Sequence, residues 1–402
     1  MPHSADEHTG ARIADYRKLR GLTQQALAAR AFANRGTIAK VEAGLAAASP
    51  ALVAAVARAL SVDPGALHGQ PYLPELQQDR LDRIIAPLSE ALDLYDLGPD
   101  PAITPRSPRV LLGQVDHLMR LTRQAEYVRI GALLPGLLGE LTTAQVLASG
   151  AEERRLLAGA LASTYRTAHE FAYRLGYTDL GLVALERMGW AGHMADDPLM
   201  LAVRLYRRGL MALGRSGPGT AQRVLARGQA LVGQSDDPRG TAARAVSGEL
   251  HMTAAVVAAR EGDTARADEH LQQAAEHATL IGEDVPEVYW LSFGPTDVRR
   301  RQVETALELG RHGAAIVAAR DLRFGPGHSP MRVGRHHITM ARLYAQIGKA
   351  EAAERHLSRA REVTPQQVRY NPLARDVIML LVRRRRRAHG SLTALAEWIG
   401  VV

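Results

Sequence analysis

An all-α fold in two unequal parts follows from three features of the chain. Within residues 11–69, short apolar stripes at helical spacing are separated by helix-cap signals. Beyond residue 75 no long alternating β-branched run occurs, and alanine- and leucine-rich stretches are broken by glycine and proline. The glycines there recur with small residues at fixed offsets, as repeated helical hairpins require. A length of 402 residues exceeds one small domain, and 46% apolar with 23% charged residues is ordinary globular material.

The first part reads as five short helices. Ile13, Tyr16, Arg17 and Arg20 lie on a first helix that Gly21 closes. Thr23 is an N-cap for a second helix, 24–31, in which Ala28 is small where two helices cross. Asn34 caps a third helix with Ile38 and Val41 on one face, and Gly44 ends it. Ser49-Pro50 starts a fourth, with Leu52, Val53, Val56 and Leu60 as its apolar stripe. Asp63-Pro64 repeats that start signal for a fifth around Leu67.

The pair 22–44, LTQQALAARAFANRGTIAKVEAG, with Gln24, Ala28, Ile38, Val41 and Glu42-Ala43-Gly44 at their offsets, resembles the phage repressor/Cro-like (XRE-type) helix-turn-helix. A recognition helix must anchor its inner face and present a polar amino-terminal end to base edges. Asn34, Arg35, Gly36, Thr37 and Lys40 fall outward here. The resemblance implies a phosphate contact from Gln24, base-facing places for Arg35, Gly36 and Lys40, and a structural ion pair between Arg17 and Glu42. Arg35 can grip guanine bidentately, and Gly36 lets the helix approach the groove closely. Two positions depart from the pattern: Phe32 stands where the turn usually has glycine, and Leu45-Ala46-Ala47-Ala48 lacks a basic residue for phosphate. If Phe32 must be left-handed, it costs about 1 kcal/mol or more.

Gln70-Pro71-Tyr72-Leu73-Pro74 reads as a linker, giving domains 1–70 and 71–402. In the second, Gly348 is followed by Ala353, Ala360 and Pro365, and Gly262 by Ala267 and Ala274. Weaker copies use Gly310, Ala315 and Leu322, then Gly176, Gly181 and Met188, and a disturbed one lies near Gly214–Ala221. The glycine permits a sharp turn between antiparallel helices, and the small residue five positions on allows close packing. These offsets resemble tetratricopeptide repeats, clearest at 338–365 and 249–277, and imply an α-solenoid over about 75–400.

A solenoid's concave face binds partners. Candidate ligand residues on it are Tyr165, Arg166, His169, Arg204, Arg208, His251 and His337, with Tyr173, Arg299, Arg300 and Arg342 nearby. Such a groove suits an anionic or aromatic small molecule, or an acidic peptide. Tyr289–Thr296 concentrates aromatics in a chain with only 4% of them, and Trp290 and Phe293 are further wall candidates. With Tyr370–Asp376, that stretch resembles segments recurring in actinobacterial regulators. The run Arg383–Arg387 closes a helix, where cations suit the dipole.

Other functions find little support. No H-E-x-x-H, nucleophile elbow or phosphate-loop pattern occurs, so neither catalysis nor a metal or other cofactor is expected. The chain has no cysteine, no apolar run approaching a membrane span and no apolar signal core at its start, which leads to a cytoplasmic protein. The net charge of +8 is weak evidence for nucleic acid. Of 50 basic residues only Lys18, Lys40 and Lys349 are lysines, and an arginine bias of that kind matches G+C-rich coding. The reading is a homodimeric transcription regulator that binds operator DNA and answers to a small-molecule or peptide ligand. Its competitor is a repeat scaffold for a protein partner with a weak DNA-binding domain, for which Phe32 and the alanine loop speak.

Overall fold

The computed structural model describes residues 8–69, 75–325, 327–384 and 390–400. The expected linker at 70–74 lies outside them.

Five helices form the amino-terminal unit: α1 (Thr9–Leu19), α2 (Gln24–Arg30), α3 (Arg35–Glu42), α4 (Pro50–Leu60) and α5 (Pro64–His68). Each anticipated cap is made. Thr23 accepts from the Ala26 N–H at 3.0 Å, Asn34 from Gly36 at 2.7 Å, Ser49 from Leu52 at 3.0 Å and Asp63 from Gly65 at 2.7 Å. Ile13, Leu27, Ala28, Ile38, Val41, Val53, Val56, Leu60 and Leu67 close over one small core.

After α6 (Glu75–Asp93), α7 (Pro108–Gln124) and α8 (Tyr127–Leu147), the chain runs as antiparallel hairpins. They are α9 (Ala151–Leu175) with α10 (Thr178–Met194), and α11 (Pro198–Arg215) with α12 (Pro218–Val232). α13 (Thr241–Glu261) pairs with α14 (Thr264–Ile281). The strands β1 (Val285–Val288) and β2 (Leu291–Phe293) then precede α15 (Pro295–Glu308) with α16 (His312–Arg320), and α17 (Pro330–Gln346) with α18 (Ala350–Val363). Three helices finish it: α19 (Pro365–Tyr370), α20 (Pro372–Arg384) and α21 (Gly390–Ile399). Gly176, Gly262, Gly310 and Gly348 all turn with positive φ. Ala267, Ala315 and Ala353 are fully buried five positions after their glycines, as close helix packing demands. In the disturbed copy the turn belongs to Gly217 (φ 87°), not Gly214, which lies inside α11.

Three features differ from expectation. A β-hairpin occurs at 285–293, where strands were not anticipated. Its two-residue loop, Tyr289-Trp290, has φ of 48° and 57°, the type I′ turn that usually asks for Asn-Gly. Two bulky residues hold that left-handed geometry because distant partners secure them. Arg166 on α9 donates to both their carbonyls, at 3.3 and 3.2 Å, and Tyr289 donates to Asp197 at 3.0 Å.

Secondly, the helical array closes on itself instead of leaving an open groove. α17 meets α7 and α19 meets α9. Ser329 donates to the Arg123 carbonyl at 2.8 Å, and Gln366 donates to Glu126 at 3.1 Å. Thirdly, α8 is long and apolar enough to cross a membrane, with Arg129 and Glu140 as its charged residues. In the folded chain 56% of that apolar window is buried, against α6, α7 and α9.

The amino-terminal unit is docked across this closed array. α4 packs on α11, with Arg58 donating to the Leu213 carbonyl at 3.1 Å. At the other side Thr9 donates to Asp376 of α20 at 3.0 Å, and Arg384 donates to the Leu45 carbonyl at 2.9 Å.

Candidate nucleic-acid interface and repeat-domain interior

The helix α3 is fixed from below and open above. Ile38 and Val41 are buried, while Asn34, Arg35, Gly36, Thr37 and Lys40 are exposed. Under it, Arg17 grips Glu42 through two bonds of 2.7 and 3.1 Å and donates to the Leu22 carbonyl at 2.7 Å. That hydrogen bond raises the Arg17 guanidinium further above its ordinary range. Gln24, anticipated at a phosphate, gives its amide to the same carboxylate at 2.8 Å and braces the scaffold. Asn34 spends its side-chain oxygen on the cap, leaving its NH2 outward. No hydrogen bond or ion pair engages the side chains of Arg35 and Lys40 among the described residues. A methyl added at Gly36 would press on Asn34 Oδ1 at 3.1 Å, closer than an ordinary contact, so a side chain there would disturb the Asn34 cap.

Phe32 adopts φ 50° and is 97% exposed, so the turn keeps the geometry that favours glycine despite the bulky residue. No core contact offsets the cost of about 1–2 kcal/mol. The alanine loop has basic neighbours from elsewhere in the chain. Arg383 lies against Gly44 where a β-carbon would collide, and Arg384 holds Leu45. Residues 385–387 of that arginine run lie outside the described ones.

The repeat interior treats arginine in the opposite way. Arg174 and Arg207 share Glu170, and Arg301 and Arg332 share Glu249. Arg300 and Arg332 share Asp297, and Arg300, Arg301 and Arg335 share Glu304. Arg260 and Arg342 share Glu308. Burial alone would raise the Glu170 and Glu304 carboxyls, but the guanidiniums around each hold them far below the usual carboxylate range. Arg166 has no carboxylate of its own. Burial, with Arg207 close by, pushes it down to about 10.

The anticipated ligand residues do not converge on one groove. Tyr165 and Phe293 are fully buried in apolar clusters, Tyr165 between neighbouring helices and Phe293 against α13, α14 and α15. His169 is buried with Nδ1 3.0 Å from the Gly181 carbonyl, and burial lowers it to about 4. Arg204 donates to the Leu185 carbonyl at 2.7 Å and pairs with Glu186, which Arg208 approaches at 3.9 Å from an exposed position. His251 and His270 face each other Nδ1 to Nδ1 at 3.1 Å, and His337 and His356 do the same at 2.9 Å. Both pairs hold equivalent places about their turn glycines. Among the described residues no group of three or more histidines or carboxylates is placed to hold a metal. Arg166 and Trp290 share a cavity, a narrow one of about 30 Å³.

A larger cleft of about 250 Å³ lies elsewhere, between the repeat interior and the underside of α4 and α5. Tyr173 and Arg342 line it as residues of the expected face. Arg174, Arg260, Glu304, Glu308 and Gln367 line it too and were not anticipated. A signal for most of them was present: Arg174, Arg260 and Glu308 each stand two residues before a turn glycine, and Glu304 and Arg342 six before. Those offsets place them one helical turn apart on a single face.

A helix-turn-helix family model matches residues 13–67, and these residues form a helix-turn-helix domain. No curated protein matches the chain. Among solved structures, the crystal structure of Bacillus thuringiensis PlcR in complex with the peptide PapR7 and DNA is similar at 13% sequence identity. The match covers 91% of this chain and 99% of that one, with a TM-score of 0.32.

Proposed function

We propose that this chain is a sequence-specific DNA-binding transcription regulator, working as a cytoplasmic homodimer whose grip on DNA answers to a ligand in the repeat domain. One observation carries the reading. In a chain that pairs most of its buried arginines internally, Arg35 and Lys40 stand exposed beside Asn34, Gly36 and Thr37 on a helix braced by the Arg17–Glu42 pair. The amino-terminal half of α3 enters the major groove, with Arg35 on a guanine edge and Gly36 allowing close approach. Phosphate is met by backbone N–H groups at the start of α2, beside Gln24, and by Arg383 next to the loop that follows α3.

Selection of bound duplexes from a random pool, followed by footprinting on the promoter of the chain's own gene, tests this. The expected product is one sequence with two half-sites about one helical turn apart or a multiple of it. Retention without sequence preference overturns the reading. A scaffold function, favoured by the strained and exposed Phe32 turn, predicts a protein partner bound in the absence of DNA, with no steep loss as salt rises.

A further inference from the structure

The 250 Å³ space under the helix-turn-helix domain has two unlike walls. On one side lie Pro50, Val53 and Ala54 of α4; on the other, arginines, the Glu304 and Glu308 carboxylates and amides of the repeat interior. Several polar groups there are buried and unsatisfied. Gln367 is 2% exposed, yet neither Oε1 nor Nε2 has a hydrogen-bond partner. The Tyr127 hydroxyl and the Nε of Arg342 also lack a hydrogen-bond partner, and the Nε of Arg260 has the Glu308 carboxylate at 3.7 Å. Each such group costs about 1–3 kcal/mol when left without a partner, so the wall of this space carries polar groups that the chain itself does not satisfy.

We propose that this cavity binds a small organic acid, with its carboxylate toward Arg260 and Arg342 and its apolar body against α4. The charge argues for an anion. Among the described residues Arg260 and Arg342 have a single carboxylate, Glu308, between them, and Arg174 and Arg335 each share their carboxylate with other arginines. The Gln367 amide and the Tyr127 hydroxyl donate to an anion, and Val53 and Ala54 offer it nothing polar at the other end. The size argues against a peptide: about 250 Å³ is below the roughly 300–1,000 Å³ of common ligand pockets and holds on the order of ten to fifteen non-hydrogen atoms.

Because one wall is the DNA-binding domain, the ligand ties that domain to the repeats and sets how freely α3 is presented. This regulatory consequence rests on the function proposed above; occupancy of the site does not.

Titration calorimetry and thermal unfolding of the full chain with octanoate, octanamide and octylamine test the site. Octanoate binds once per chain with a Kd of about 1 mM or tighter and raises Tm. The amide binds at least about tenfold more weakly, and the amine does not saturate. Ala54→Trp, which fills the cavity from the α4 side, abolishes octanoate binding, and Gln367→Leu weakens it severalfold without lowering Tm. Should Ala54→Trp fail to fold, Gln367→Leu decides alone. No saturation by octanoate, equal binding of all three head groups, or binding indifferent to both substitutions overturns the proposal. Operator binding is measured on the same samples. A chain that binds operator but not octanoate loses the site alone, and one that binds octanoate but no DNA loses the functional reading alone.

Discussion

Arg35 and Arg342 show how differently the two parts of the molecule use one residue type. Arg35 stands on the outer face of α3, exposed, with no carboxylate paired to it among the described residues. Arg342 is buried and donates to Glu308 at 2.6 Å, one link in a network that runs through the closed array. The first domain packs its helices over a mainly apolar core and leaves the polar residues on the outer face of α3 exposed. The second buries charge, and so must satisfy that charge internally. The positive charge of the chain is therefore a poor guide to binding; what distinguishes a recognition arginine is the absence of a carboxylate beside it.

Substitutions on the two sides of this contrast should behave in opposite ways. The largest effect is expected at Glu308. Glu308→Ala strands Arg260 and Arg342 in the interior and should destabilise the chain by roughly 3–5 kcal/mol in urea unfolding. A loss below 1 kcal/mol would mean that water reaches the network.

Next comes Asp376, where the two domains touch. Burial raises its carboxyl to about 6, while the Thr9 bond opposes the rise. A raised carboxyl favours the fold while protonated, and that contribution fades as pH climbs from about 4 through 6. Asp376→Asn should therefore gain on the order of 2 kcal/mol above pH 6 and little below pH 4, seen as a pH-dependent rise in Tm. The histidines run the other way. Burial lowers His68 and His169 to about 4 and His336 to about 3, so each supports the neutral fold above pH 6.5 and loses that support as pH falls through 4. Unsubstituted protein should lose Tm steeply on acidification across that window.

Smaller effects belong to the DNA-binding domain. Phe32→Gly should stabilise it by about 1 kcal/mol by relieving the left-handed strain. Unchanged or lower stability would show that the phenyl ring has a partner. Arg383→Ala should leave stability within about 0.5 kcal/mol of that of unsubstituted protein and reduce the salt dependence of DNA binding by about one phosphate contact. Fluorescence anisotropy on labelled duplex across a salt series reads this out.

How far each part was legible follows from the range of its determinants. The caps Thr23, Asn34, Ser49 and Asp63 act within three residues, so the five short helices could be placed from their own letters. The same holds for the hairpins turned at Gly176, Gly262, Gly310 and Gly348. Closure of the array depends on partners such as Ser329 with Arg123, 206 residues apart, and no local pattern announces it. An open groove lined by Tyr165, Arg166 and His169 was the natural expectation, but the neighbouring helices α8 and α10 and the hairpin at 285–293 bury all three. The hairpin at 285–293 escaped because its strands are very short and its Tyr289-Trp290 turn lacks the usual residues; its geometry is secured by Arg166, 123 residues away. Gln24 shows the same limit at small scale, since its amide could serve phosphate or Glu42 and only the folded neighbours decide between them.

The most direct test of the central claim is Arg35→Ala in a competitive binding titration, against a site obtained by selection and an unrelated duplex of equal length. The prediction is a loss of roughly 5- to 150-fold in affinity for the selected site, with a smaller preference over the unrelated duplex and an unchanged Tm. Affinity and preference equal to those of unsubstituted protein would contradict the assignment of α3 as the helix that reads DNA.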